Sequence, residues 1–222
     1  MKGLMMGTSL LISSLIRNAD HNHGTTEIVS RMVEGGIHRY TYRDAHTRAR
    51  QLANALTALD IEPGDRCGTL AWNGYRHFEI YYAVSGSGAV CHTINPRLFA
   101  TQIAFIANHA GDRVIFTDLT FVPLLEQISG ELSGVEAFIV MTDSDHMPKT
   151  TLPNVHCYEQ LVHDHSDEYD WPDFDENTAS SLCYSSGTTG HPKGVLYSHR
   201  STLLHAYCCS LPDAFGLSAR DA

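Results

Sequence analysis

Two periodicities run along the chain, and each marks a different kind of element. Glu27 to Val33 and Ile37 to Tyr42 are rich in β-branched and aromatic residues, with Gly35-Gly36 between them, which predicts a β-hairpin. Thr41-Tyr42-Arg43-Asp44 then has the spacing of a capping box. It opens a predicted helix with Ala45, Ala49, Leu52, Ala53, Leu56 and Leu59 along one stripe, closed by the Pro63-Gly64-Asp65 turn. Ahead of the hairpin, Ser9 can cap a helix that places Leu11, Ile12, Leu15 and Ile16 on one face.

From Cys67 onward short apolar runs and helical periods alternate. Cys67–Trp72, Ala89–Ile94, Arg113–Thr117 and Ala137–Met141 read as buried strands, and Tyr75–Val84, Thr101–Ala110 and Phe121–Ile128 as helices. Strands separated by helices of about ten residues predict a parallel sheet covered on both faces, a doubly wound α/β layer. The rhythm stops between Thr142 and Thr178, a stretch interrupted by Pro148, Pro153 and Pro172. Its part from Asp164 to Glu176 carries seven acidic residues and no Lys or Arg. It reads as a solvated surface loop, with a cation or partner site as the alternative.

Composition narrows the classes. The 222 residues are 43% hydrophobic and 18% charged, enough for a substantial core and unlike a disordered chain. A net charge of −10 argues against a general nucleic-acid binder. Six scattered cysteines without a CxxC pair fit reduced thiols of a cytoplasmic protein better than a disulfide scaffold. No apolar run reaches the ~20 residues that span a bilayer. The stretch from Met1 to Ile16 is diluted by Gly7, Thr8, Ser9, Ser13 and Ser14, and so makes a poor signal peptide.

The chemistry concentrates in Ser181–His199, SLCYSSGTTGHPKGVLYSH. Ser185, Ser186, Gly187, Thr188, Thr189 and Gly190 form an unbroken run of hydroxylic residues and glycines, followed by Lys193. Glycine lets backbone N–H groups approach a ligand, the hydroxyls add rotatable donors, and the lysine adds a point charge. Such a concave donor set suits a polyphosphate. It is not a Walker loop, which has Gly before the lysine and Ser or Thr after it. Here Pro192 precedes Lys193, Gly194 follows, and the strand-like Val195-Leu196-Tyr197 comes next. The loop is therefore expected to join two strands and close over phosphate like a flap.

This string resembles the phosphate-loop signature of the adenylate-forming, AMP-binding superfamily. Tyr40–Asp44 is similar to that family's first core motif, and Ala83–Pro96, with Gly86, Gly88, Ala89 and Asn95-Pro96, to its second. Detail around Trp72-Asn73 and Ile94–Leu98 looks most like medium- and long-chain fatty-acyl-CoA ligases and methylmercaptopropionate-CoA ligases. The resemblance implies an acyl-CoA-synthetase-like α/β fold and an acid-thiol ligase that uses ATP, Mg2+ and coenzyme A. A carboxylic acid would be activated as acyl-adenylate and passed to the thiol. Ser185, Ser186, Thr188 and Thr189 would meet β/γ-phosphate oxygens, with Ser185 also on the Mg2+ side; Gly187 and Gly190 would give close approach, and Lys193 would neutralise charge.

The resemblance also implies that residues 1–222 form the N-terminal portion of the AMP-binding domain, with the phosphate loop at 184–194. The acyl pocket, the remaining nucleotide contacts and the C-terminal lid with its catalytic lysine would lie in the missing C-terminal part of the same enzyme. No catalytic residue is expected within this chain, which is expected to be inactive alone and to expose apolar surface near Val195–Tyr197 and the following helix. A homodimer is a further possibility. An adenylation domain that loads a carrier protein and a non-catalytic truncated interaction module are the alternatives. A phosphotransferase is disfavoured by the Pro192-Lys193-Gly194 order.

Several conspicuous residues have plainer readings. His199 reads as a surface or helix-capping residue rather than a general base, Cys208-Cys209 as helix packing, and Trp72, Tyr81 and Tyr82 as core or helix-face aromatics. His21 and His23 lack further metal ligands in the sequence nearby.

Overall fold

The computed structural model describes residues 5, 7–185, 192–218 and 221. The N-terminal hairpin forms as a separate two-stranded sheet, β1 (Glu27–Arg31) and β2 (Ile37–Thr41). Its turn uses Gly35 and Gly36 at φ 105° and 80°, a conformation that disfavours side chains with a Cβ. Thr41 then caps α2 (Tyr42–Ala58): its hydroxyl accepts from the Asp44 N–H, and the Asp44 carboxylate accepts from the Thr41 N–H. The expected stripe is buried from Ala45 to Leu56, with Ala45, Ala49, Leu52, Ala53 and Leu56 at most 1% exposed, and is half-buried at Leu59.

The first helix differs from expectation. α1 spans Ser13–His23, and Ser9 does not cap it. Residues 9–12 instead form a turn in which the Leu11 N–H donates to the Ser9 carbonyl. That turn still buries Leu11 and Ile12, so the apolar pattern reports burial correctly and helix start incorrectly.

The second sheet is built from β3 (Arg66–Leu70), β4 (Val90–Thr93), β5 (Asp112–Thr117), β6 (Ala137–Val140), β7 (Val155–Cys157), β8 (Ala179–Ser185) and β9 (Lys193–Ser198). Their order is β7-β6-β5-β3-β4-β8-β9, parallel except for the β8–β9 pair. The chain moves from β3 to β4 on one side and returns to place β5 on the other, which puts its crossover helices on both faces. α2, α3 (Tyr75–Gly86) and α6 (Tyr158–His163) pack with Cys67, Cys91, Val114, Phe116 and Ile139 on one face. On the other, α4 (Ala100–Ala110) and α5 (Val122–Ile128) pack with Leu70, Ile115, Phe138 and Val140. The doubly wound layer is as the alternation predicts, because strands covered on both faces read as continuous apolar runs.

The stretch from 142 to 178 is more structured than its composition suggests. It contains β7 and α6. Its acidic part is a strap tied across the helices: Asn54 donates to the Ser166 and Glu168 carbonyls at 2.7 and 2.9 Å, and the Trp171 indole N–H donates to His46 at 2.9 Å. A Cβ on Gly86 would lie 2.4 Å from the Trp171 ring, so this glycine is the notch that seats the strap.

Candidate functional site: the hairpin at the carboxyl end of β8

β8 runs parallel to β4 and emerges at the sheet edge where strands point their carboxyl ends, the usual place for ligands in open α/β sheets. β9 returns antiparallel, and the pair closes with Ser185 opposite Lys193. Both residues are exposed. Directly opposed residues on adjacent strands hold their Cβ atoms about 5 Å apart. The expected two-stranded root is therefore present, with a hydroxyl and an ammonium side chain flanking its mouth. Ser186, Gly187, Thr188, Thr189 and Gly190 lie outside the described residues.

Beneath the mouth, Cys183 Sγ and Thr93 Oγ1 lie 3.2 Å apart and tie β8 to β4. Thr93, Asn95, His77, Tyr81, Cys183 and Tyr184 line part of a cavity of about 360 Å3 over the carboxyl ends of β3, β4 and β8. His77 Nδ1 lies 3.1 Å from the Trp72 carbonyl, which can only accept, so Nδ1 carries the proton and Nε2 accepts from the Thr69 hydroxyl at 3.1 Å. Burial holds the His77 pKa below the usual imidazole value. Tyr81 stacks on this ring and is 38% exposed. Trp72, 40% exposed, leans on Phe121 and donates its indole N–H to Thr120. Tyr81 is a helix-face aromatic on α3, as read in the sequence, and lines the strand-end crevice, whereas Trp72 is half-buried outside it. Tyr82 packs against the core as expected.

Next to it, burial raises Asp118 to about 6, and its carboxylate accepts from the Trp72 N–H at 2.6 Å. This group sits where β5 ends beside β3 and fixes the turn after β3.

On the helix side, α7 (His199–Ser210) follows β9 directly. His199 is fully buried, against the expectation of a surface residue. Its Nδ1 accepts from the Ile12 N–H at 3.2 Å, which requires a neutral ring and ties the N-terminal turn to α7. Burial lowers its pKa to about 4. The Ser198 hydroxyl, not His199, caps the helix. Cys208 is exposed and Cys209 contacts His205 at 3.4 Å, so neither supplies the core packing expected of the pair. Leu196 at 62% and Tyr207 at 54% exposure form part of the apolar surface expected on β9 and α7.

Sequence reasoning missed a second polar cluster on the far side of α3. Glu79, fully buried, accepts from Arg48 at 2.8 Å and from Tyr158 at 2.7 Å. Arg76 bonds Glu159 at 2.7 Å and Glu34 at 2.6 Å. The signal available was two charged residues, Arg76 and Glu79, inside the apolar helix YRHFEIYYAVSG. The cluster pairs two arginines with three carboxylates and joins α2, α3 and α6 to the segment that follows β1, a structural role.

With the root of the β8–β9 hairpin at the carboxyl edge of a doubly wound sheet, the described residues define an α/β class of fold. The profile of the AMP-binding enzyme family matches residues 15–222, and the chain belongs to that family. It is 51% identical over 221 residues to a medium-chain-fatty-acid–CoA ligase of Ectopseudomonas oleovorans, covering all of this chain and 40% of that protein. It is 52% identical to a 3-methylmercaptopropionyl-CoA ligase of Ruegeria lacuscaerulensis, covering all of this chain and 41% of that protein. The crystal structure of a long-chain-fatty-acid-CoA ligase from Archaeoglobus fulgidus superposes with a TM-score of 0.80 over 96% of this chain and 41% of that one; at 17% identity this is a likeness of fold. The chain thus spans about two fifths of the length of these curated relatives.

Proposed function

We propose that this chain is the N-terminal, phosphate-binding portion of an AMP-forming acid-thiol ligase. In this reading residues 1–222 belong to the AMP-binding domain, and the loop at 184–194 grips the β- and γ-phosphates of ATP. The observation that carries it is the pairing of Ser185 with Lys193 across the mouth of a hairpin whose tip reads SGTTGHP. Support comes from the family membership and from relatives whose names are acyl-CoA ligases.

The donor set fits the reaction. A carboxylate oxygen attacks the α-phosphorus of ATP, the bond from that phosphorus to the bridging oxygen breaks, and pyrophosphate leaves with the electron pair. Charge grows on the leaving group, where Lys193, the Ser185, Ser186, Thr188 and Thr189 hydroxyls and backbone N–H groups at Gly187 and Gly190 would stabilise it. Mg2+ keeps most of its ligands as water and phosphate oxygens, so one protein hydroxyl, Ser185, suits it; the ion would neutralise phosphate charge. In the second step the coenzyme A sulfur attacks the acyl carbon and AMP departs, the thiol proton passing to solvent or base. Groups for that step belong to the enzyme beyond this chain. The acid is a fatty or short thioether carboxylate, and the setting is cytoplasmic.

The test is ATP–pyrophosphate exchange by the enzyme that carries this chain at its N-terminus, across a panel of fatty and thioether acids. Acid-dependent exchange that transfers the acyl group to coenzyme A is expected. Exchange that ends on a carrier-protein thiol instead, or none with any acid, would contradict the ligase reading.

A further inference from the structure

The face of the hairpin opposite Ser185 and Lys193 carries a contact that the phosphate-loop reading does not use. Tyr184 Oη and His109 Nδ1 share a hydrogen bond of 2.6 Å, across 75 positions of sequence. His109 belongs to the last turn of α4, whose Ile103, Ala104, Ile106 and Ala107 are buried in the core. The Tyr184 ring also lies against Gly194, its direct partner on β9. A Cβ on Gly194 would sit 3.2 Å from Tyr184 Cζ and 3.3 Å from Leu182 Cδ1. Gly194 is not among the glycines with positive φ, so what it supplies is space for the ring, not conformational freedom.

Among the described residues β9 is the sheet's edge strand, paired only with β8, and five of its six residues are exposed. A two-stranded ribbon twists more readily than a sheet interior. The tyrosine counters this by linking the ribbon's root to a helix held by the core. Alternation along β8 and β9 puts Tyr184 and Gly194 on one face and Ser185 and Lys193 on the other. A rotation of the ribbon that releases the tyrosine therefore displaces the lysine.

We propose that Tyr184, clamped by His109 and seated on Gly194, is a positioning residue that holds Lys193 opposite Ser185 for polyphosphate binding. This rests on the reading of the hairpin as the ATP grip and adds the device that aims it. It also gives the glycine after the lysine a mechanical purpose distinct from phosphate contact.

The test uses Tyr184→Phe, which keeps the ring and removes the hydroxyl, His109→Gln, and the double variant. In pyrophosphate exchange by the longer enzyme, each single variant is expected to raise the KM for ATP about 3- to 10-fold. The KM for the acid and the melting temperature should stay unchanged. The double variant should be no worse than either single one, because both remove the same bond. Additive effects, or equal losses toward acid and ATP, would overturn the proposal. A second readout needs no activity: in NMR spectra of the 222-residue chain, Tyr184→Phe and His109→Gln should shift the Lys193 and Gly194 amide resonances alike. Absence of exchange in the wild type would sink the ligase reading and leave the clamp to the NMR result. Unmoved Lys193 and Gly194 amides in both variants would sink the clamp itself.

Discussion

The middle of the sheet and its β8–β9 edge obey opposite rules. β6 is buried at every position, and β5 carries Ile115 and Phe116 at 0% exposure, with helices on both faces. β9 exposes five of its six residues to solvent and, among the described residues, has a neighbour on one side only. The first region is where burial stabilises the fold, roughly 25 cal/mol for each Å2 of apolar surface removed from water. The second leaves Ser185 and Lys193 in solvent, where the proposed phosphate contact would form, and adds little to stability. Changes in the two regions should therefore separate into losses of fold and losses of binding.

The largest expected effect sharpens that separation from the core side. Phe116→Ala removes a fully buried ring that packs edge-on to Tyr158 and should cost about 3–5 kcal/mol in urea unfolding. A loss below about 1 kcal/mol would mean that the sheet centre is not the stabilising region.

Next comes His199, which ties the start of α7 to the N-terminal turn through Ile12. Its folded-state pKa of about 4 lies below the ordinary 6.5, so the unfolded chain takes up the proton first as pH falls. This contribution is intact above about pH 6.5 and is lost progressively toward pH 4, by up to ~3 kcal/mol. Unfolding of wild type and His199→Asn should diverge in slope across that window. Parallel curves would show that His199 titrates normally in the fold.

A smaller effect belongs to the cap of α2. Thr41→Ala removes the hydroxyl that accepts from Asp44 and should cost about 1 kcal/mol, read as a lower urea midpoint with an unchanged m-value.

The sequence showed the central layer because strands buried on both faces and helices buried on one leave strong periodic marks, as in Cys67–Trp72 and the Ala45–Leu56 stripe. It hid β7, three residues long and half-buried throughout, because so short a run has no period. It hid the strap, whose anchors are long-range bonds, one from Asn54 to Ser166 and one from Trp171 to His46, that no local pattern encodes. It misplaced the start of α1 because Leu11 and Ile12 are buried in a turn that shares the helix's apolar spacing. At the site, the donor chemistry of Ser185 and Lys193 was legible from residue types. The Tyr184–His109–Gly194 contact was not, since it depends on α4 passing beside β8.

The central claim is that the hairpin root binds the polyphosphate tail of a nucleotide. Its most direct test is to titrate Mg-ATP and AMP separately into the enzyme carrying this chain, as wild type and as Lys193→Ala. Losing one charge-assisted contact of about 1.5–3 kcal/mol should weaken ATP binding by roughly 10- to 150-fold and leave AMP binding and the melting temperature unchanged. Equal weakening toward ATP and AMP, or none toward either, would contradict the account.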